Sequence, residues 1–310
     1  MPNLSVRHIT HYRYRQPVAL GEHRMMFRPR ESYDQRVLES RLVIVPEPVE
    51  LRYVQDVFGN CVAIANFDKP TRELVFDSFV RLEHTPHPIA NDAADALDGS
   101  DATYPFVYSV EDMPDLQRSI ERCHPDPDRV IETWARRFLD TAGPTRLFDM
   151  LATMTRAIRS EFTYGTRLVG GAQTPLETLA LGSGSCRDFA VLMIEAARSL
   201  GLAARFVSGY IYSPAGARGD GRRLGGGHTH AWVRVYLPSC GWVEFDPTNG
   251  IVGSSDLIRV AVARDPRQAL PLYGAYFGDA EDYLGMDVTV DVGIEAGAES
   301  ASGKAFALAS

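Results

Sequence analysis

Gly182-Ser183-Gly184-Ser185-Cys186-Arg187-Asp188-Phe189-Ala190 is the stretch on which the reading of this 310-residue chain turns. Ser185 has the character of an N-cap, and Phe189, Ala190, Met193, Ala197 and Leu200 recur at helical spacing until Gly201 stops the run. The spacing predicts a helix that opens on Cys186 and buries one face. A sulfur in that first turn sits at the positive end of the helix dipole, where backbone N–H groups lack intrahelical acceptors. Both features favour a thiolate, the nucleophilic form of cysteine.

Working outward, two later segments supply groups that a thiol nucleophile needs. His228-Thr229-His230-Ala231-Trp232-Val233 reads as a strand, and Trp242-Val243-Glu244-Phe245-Asp246-Pro247-Thr248 as the next one, with Pro238-Ser239-Cys240-Gly241 turning between them. Cys186, His230 and Asp246 are thus candidates for nucleophile, base and orienter. An imidazolium about 4 Å from the sulfur contributes on the order of 4 kcal/mol at an effective dielectric near 20, more than the helix terminus does. Alternation puts His228, His230 and Trp232 on one strand face. A plain four-residue loop at 238–241 would turn Asp246 to the opposite face, so the triad requires a bulge or another register.

The flanks differ in period. Val6–Tyr14, Arg41–Val45, Glu50–Val54, Cys61–Phe67 and Leu74–Leu82 are short β-rich runs divided by turn signals, which predicts a small antiparallel sandwich or barrel. A Pro-, Ala- and Asp-rich stretch follows from about His84. Helical spacing then appears at Val130, Ile131, Trp134, Ala135 and Phe138, and again from Leu147 to Ile158. Thr174-Pro175-Leu176-Glu177 is a capping box. Strands are expected at Ala204–Tyr212, Leu257–Ala263 and Met286–Val292. The division this suggests is an N-terminal β domain over 1–90, a linker over 91–125, a catalytic core with C-terminal strands over 126–294, and a disordered tail over 295–310. The class is α+β.

Composition narrows the function. An apolar share of 45% and a charged share of 23% suit a globular protein, while a net charge of −8 without a basic run argues against nucleic acid as a partner. No segment reaches membrane-spanning length and the start lacks an apolar signal core, so a cytoplasmic protein without membrane association is expected. The four cysteines form no CxxC pair and are expected to be reduced.

The three motifs Gly-Ser-Cys-Arg-Asp-Phe-Ala, His-Ala-Trp-Val-Arg-Val and Trp-Val-Glu-Phe-Asp-Pro-Thr together resemble the core of the transglutaminase-like superfamily, over roughly residues 145–250. The β-rich start from His8-Ile9-Thr10-His11-Tyr12 is similar to the N-terminal domain of its bacterial members. The resemblance implies a papain-like core, a Cys-bearing helix on an antiparallel sheet, and acyl transfer through a thioester to water or an amine. The acyl donor would be a peptide, a protein, or a glutaminyl or γ-glutamyl amide, and neither cofactor nor metal is implied. A side-chain oxyanion donor upstream of the Cys falls to Tyr164 or Gln173, with Trp232 and His228 as further substrate contacts. Two other readings stand beside this one: a zinc hydrolase built from Cys186, His228, His230 and Asp246, and an inactive binding or scaffold protein. The Gly-rich segment 213–227, with Arg218, Arg222 and Arg223, is either a lid for an acidic substrate or a solvated excursion. Oligomeric state is left open.

Overall fold

A computed structural model describes residues 3–85, 103–166, 171–212, 223–238 and 240–295. The first part of the expected linker (91–102), the expected tail beyond residue 295, and Arg218 and Arg222 lie outside these described residues.

The N-terminal part is organised by one long strand, β1 (Asn3–Met25). Its first half pairs antiparallel with β5 (Thr71–His84), which in turn pairs with β2 (Gln35–Val45). Its last residues pair with β4 (Cys61–Asn66), flanked by β3 (Glu50–Gln55). The expected sandwich or barrel is therefore a curled antiparallel sheet in which β1 belongs to both halves. Inward residues of β1 alternate with outward ones, as a half-buried strand requires.

After β6 (Thr103–Tyr104), helix α1 (Met113–Ile120) occupies part of the span read as linker. Helix α2 (Val130–Arg136), the short β7 (Thr145–Arg146) and helix α3 (Leu147–Glu161) follow. Helix α3 buries Leu147, Met150, Leu151, Met154 and Ile158, the stripe seen in the sequence. Beyond β8 (Thr163–Tyr164), α4 (Pro175–Leu181) starts in the expected Thr174/Glu177 capping box and ends at Gly182, whose φ of +60° suits glycine. Next come β9 (Ser183–Gly184) and the central helix α5 (Cys186–Ser199). Gly201 closes α5: its N–H donates to Arg198 O and that of Leu202 to Ala197 O, the paired bonds of a Schellman motif.

The core sheet is antiparallel, in the order β13 (Ile251–Val252), β12 (Gly241–Asp246), β11 (His230–Leu237), β10 (Ala204–Ile211) and β14 (Leu257–Ala263). Ala231, Val233 and Val235 of β11 join Phe189, Ala190, Met193 and Ala197 of α5 in one core. Strands β15 (Leu272–Phe277) and β16 (Tyr283–Glu295) then leave this sheet and pair with β1. The chain's C-terminal strands thus complete the N-terminal sheet.

The two sheets share a core. Leu4, Val6, Val80 and Leu82 pack against Tyr210, Tyr212, Ile258 and Val260. Arg259, 4% exposed, bonds Asp34 in the turn before β2 and Glu244 of β12. A buried guanidinium is tolerated only where such partners satisfy it. No described helix is long and apolar enough to cross a membrane.

Candidate active site

Cys186 is the first residue of α5, with Ser185 as N-cap at φ −90° and ψ 175°. Asp188 completes the cap: its Oδ2 accepts the Ser185 N–H at 2.7 Å and the Ser185 hydroxyl at 2.8 Å, and Oδ1 accepts the Gln173 N–H. This fully buried carboxylate clamps the chain leading into the helix. Gly184 is needed beside it, because a Cβ there would stand 2.8 Å from Asp188 Cβ. Strand β8 runs parallel to β9 and pairs Tyr164 with Gly184, which brings the phenol to the helix start.

His230 opens β11 and is bonded through Nε2 to Asp246 Oδ2 at 2.9 Å, both side chains fully buried. The register explains how they meet. Leu237 pairs with Gly241, so three residues, not four, separate the strands, and Cys240 N–H donates to Leu237 O. Gly241 takes φ +70°, the left-handed conformation of a bulged hairpin turn. With Val233 opposite Phe245, Asp246 falls opposite Trp232 and shares its face with His230. The requirement raised by the sequence is met by this one glycine.

Asp246 is held as an anion. Beside His230, it accepts from Thr248 N–H at 2.9 Å, Asn249 N–H at 3.3 Å and Asn249 Nδ2 at 2.8 Å. Burial alone would raise this carboxyl, but His230 and these donors outweigh burial and lower it. For His230 the balance is reversed in sign. Burial opposes the imidazolium, yet the charge and hydrogen bond of Asp246, followed by Cys186, hold the ring well above its ordinary value of 6.5. The other nitrogen, Nδ1, is buried with no hydrogen-bond partner of ordinary geometry among the described residues, and the Cys186 thiol is the nearby group that adds to its field. Gly225, at φ +86°, closes that edge of the ring: a Cβ there would lie 2.7 Å from Nδ1.

Asn249 and Gly225 carry site geometry that the sequence reading missed. Asn249 ties Asp246 to the loop, accepting Leu224 N–H and donating to Leu224 O. The available signal was the run Asp246-Pro247-Thr248-Asn249, in which an Asp binds the N–H two residues on. The described end of the Gly-rich segment is pinned by this contact, by Arg223 to Asp256 at 3.0 Å, and by Val290 N–H to Gly227 O.

Cys186 and His230 open on a cavity of about 220 Å³. Tyr164, Arg187 and His228 line it from the core, and His8, Thr10, Tyr12, Met286 and Val288 from the N-terminal sheet. Burial, and then Cys186, push the Tyr164 phenol up, so it is present as a hydroxyl donor. His228 lines the cavity with its Nδ1 unpartnered among the described residues. Two expected contacts do not reach it. Gln173 Oε1 accepts the Thr178 hydroxyl at 3.2 Å, so its amide is turned into the chain before α5. Trp232 is fully buried and stacks 5.9 Å from the His230 ring, supporting the imidazole without touching the cavity. Gly209, opposite His230, leaves room for it: a Cβ there would meet Trp232 Cη2 at 2.7 Å.

The zinc arrangement is not supported by this geometry: among the described residues no three His, Cys, Asp or Glu side chains are placed to hold a metal. The four cysteines are free thiols, and Cys186 alone lines the cavity.

Comparison with known proteins places the chain in a family. Residues 4–83 match the bacterial transglutaminase-like N-terminal region, and residues 132–247 the transglutaminase-like superfamily core. An uncharacterized protein of Mycobacterium tuberculosis is 32% identical over 295 residues, covering 93% of this chain and 91% of its own. One from Mycobacterium leprae is 27% identical over 296 residues, covering 94% and 99%. A solved structure, a candidate cysteine protease from Cytophaga hutchinsonii, superposes with a TM-score of 0.67 at 16% identity over 96% of this chain and 92% of that one, a likeness of fold. Matched across both its sheets, the chain belongs to the transglutaminase-like superfamily, as a member that carries the bacterial N-terminal region ahead of the core.

Proposed function

We propose that the protein is a thiol-dependent amidase or peptidase, with water or an amine as the group that resolves its acyl-enzyme. The observation that carries this reading is the buried His230–Asp246 pair at 2.9 Å, set beside a cysteine at a helix N-terminus in one cavity. A superfamily membership shared with thiol acyl-transfer enzymes supports it, as does the fold shared with a candidate cysteine protease.

In this mechanism the Cys186 thiolate attacks the amide carbon while His230 stands as imidazolium, stabilised through Nε2 by Asp246. The developing oxyanion is met by the Cys186 N–H, which has no intrahelical acceptor, and by the Tyr164 hydroxyl. Imidazolium Nδ1–H gives its proton to the leaving amine, the C–N bond breaks, and a thioester remains. Neutral His230 then removes a proton from water or an incoming amine, which attacks the thioester and releases Cys186. Arg187, the residue after the nucleophile, also lines the cavity.

The test is a screen of blocked peptide amides and glutaminyl amides with the intact chain, together with iodoacetamide labelling of the four thiols across pH. Cys186 is expected to alkylate at pH 6–7 well ahead of Cys61, Cys123 and Cys240, and Cys186→Ala to abolish turnover. Turnover that survives in Cys186→Ala, or a Cys186 no faster than the other thiols, would overturn the mechanism.

A further inference from the structure

Along the inward face of β1 the side chains change character. Leu4 and Val6 pack in the dry core against Tyr210, Ile258 and Val260. Further along the same face stand His8 and Thr10, each 2% exposed. A buried imidazole and hydroxyl are costly unless bonded, and these two border the cavity that holds Cys186. His8 Nδ1 lies 2.9 Å from the Tyr210 hydroxyl and Nε2 lies 3.1 Å from Thr10 Oγ1.

The direction of this chain follows from its donors and acceptors. Burial drives His8 down to about 4, so the ring is neutral, with one N–H and one acceptor nitrogen. The Tyr210 phenol is buried, and His8 Nδ1 is the group within hydrogen-bond distance of it among the described residues. Assigned from the network, the phenol donates to Nδ1, which places the ring proton on Nε2 and directs it to Thr10 Oγ1. The Thr10 hydroxyl proton is then left to the cavity, with no acceptor among the described residues.

The neighbouring wall is apolar. The β1–β16 register sets Thr10 opposite Val288 and Tyr12 opposite Met286, all four on the cavity. No Asp or Glu is among the described residues that line it.

We propose that this face of the N-terminal sheet reads the substrate. The Thr10 hydroxyl donates to a main-chain carbonyl of an extended peptide, and an uncharged, apolar side chain of that peptide lies on Tyr12, Met286 and Val288. The inference rests on the cavity being the site of thiol chemistry, yet it concerns binding and is read without turnover.

The experiment uses the full chain carrying Cys186→Ala and fluorescein-labelled, C-terminally amidated hexapeptides that differ at one position (Leu, Gln, Glu or Lys), followed by anisotropy. The Leu peptide is expected to bind best. Adding Thr10→Val should weaken it roughly tenfold, the effect of one lost hydrogen bond. Thr10→Ser, which keeps the hydroxyl, should restore binding, an outcome that loss of packing would not give. Met286→Glu should shift the preference from the Leu to the Lys peptide. Equal binding by the Thr10→Val protein, an unchanged preference in Met286→Glu, or no binding of any peptide by the Cys186→Ala protein would overturn the proposal. Cys186 labelling and wild-type turnover stand apart from these outcomes and report on the thiol mechanism.

Discussion

Two histidines border the same cavity and are pushed in opposite directions. His8 stands on the N-terminal sheet among hydroxyls, and burial drives it down to about 4. His230 stands on the core sheet, is buried as deeply, and is held well above 6.5 because burial is outweighed by Asp246. The sign of the shift depends on one carboxylate, since a hydroxyl can bond either protonation state while an anion favours the cation. One side of the cleft is therefore a neutral hydrogen-bonding wall, and the other is an ion pair suited to move a proton.

The comparison breaks most severely at Asp246. Asp246→Asn removes the charge that opposes burial, so His230 should behave like His8 and stay neutral. Turnover is expected to fall on the order of 10³–10⁴-fold, and Cys186 labelling to lose its advantage at pH 6–7. A loss of only a few-fold in steady-state assays would show that Asp246 does not set the base. Gly225→Ala tests the closed edge of the same ring. Its Cβ would meet Nδ1 at 2.7 Å, in a conformation at φ +86° that alanine rarely adopts. Displacement of the imidazole should cost roughly a hundredfold in kcat, with a loss of about 1–3 kcal/mol in a denaturation titration. Wild-type kcat in this variant would mean that the loop yields freely.

Asn249→Ala acts one bond further out. It deletes the 2.8 Å bond to Asp246 Oδ2 and both ties to Leu224. Turnover should fall about tenfold, with the pH profile displaced because Asp246 has lost a donor. A profile that stays in place would confine Asn249 to holding the loop.

The smallest effect separates the two histidines by stability. His8 is lowered, so the unfolded chain takes up its proton first, and acidification from pH 6.5 to about 4 costs stability at this position. His8→Gln should remove that share of the acid loss in denaturant midpoints measured from pH 7 to 4. His23 and His84, also lowered by burial, keep theirs. The His230–Asp246 pair behaves otherwise. The carboxylate contribution is full above 3.8 and lost as pH falls through its lowered value; the imidazolium contribution is full below 6.5 and lost as pH rises through its raised one. An acid loss of unchanged size in His8→Gln would contradict a neutral His8.

Much of the core side of the cleft is local and was legible in the chain. Ser185 and Asp188 cap the Cys186 helix, Gly201 ends it, and alternation orders β11, all within a few residues. Local signals could not settle where Asp246 points, because a one-residue change in the hairpin exchanges the faces of a strand. The N-terminal wall was beyond them altogether. Met286 and Val288 reach Tyr12 and Thr10 across more than 270 residues of chain, and that pairing is encoded in no local pattern. By itself, the sequence determined the helix with its thiol, the strand with its imidazole and the order of the three candidate groups, because caps, turns and periodicity act over a few residues. Only the tertiary structure decided that Gly241 turns Asp246 toward His230, that Gln173 and Trp232 stay outside the cavity, and that the first and last strands together wall the cleft. Those outcomes depend on register and long-range burial, in which each side chain's environment is supplied by residues far from it in the chain.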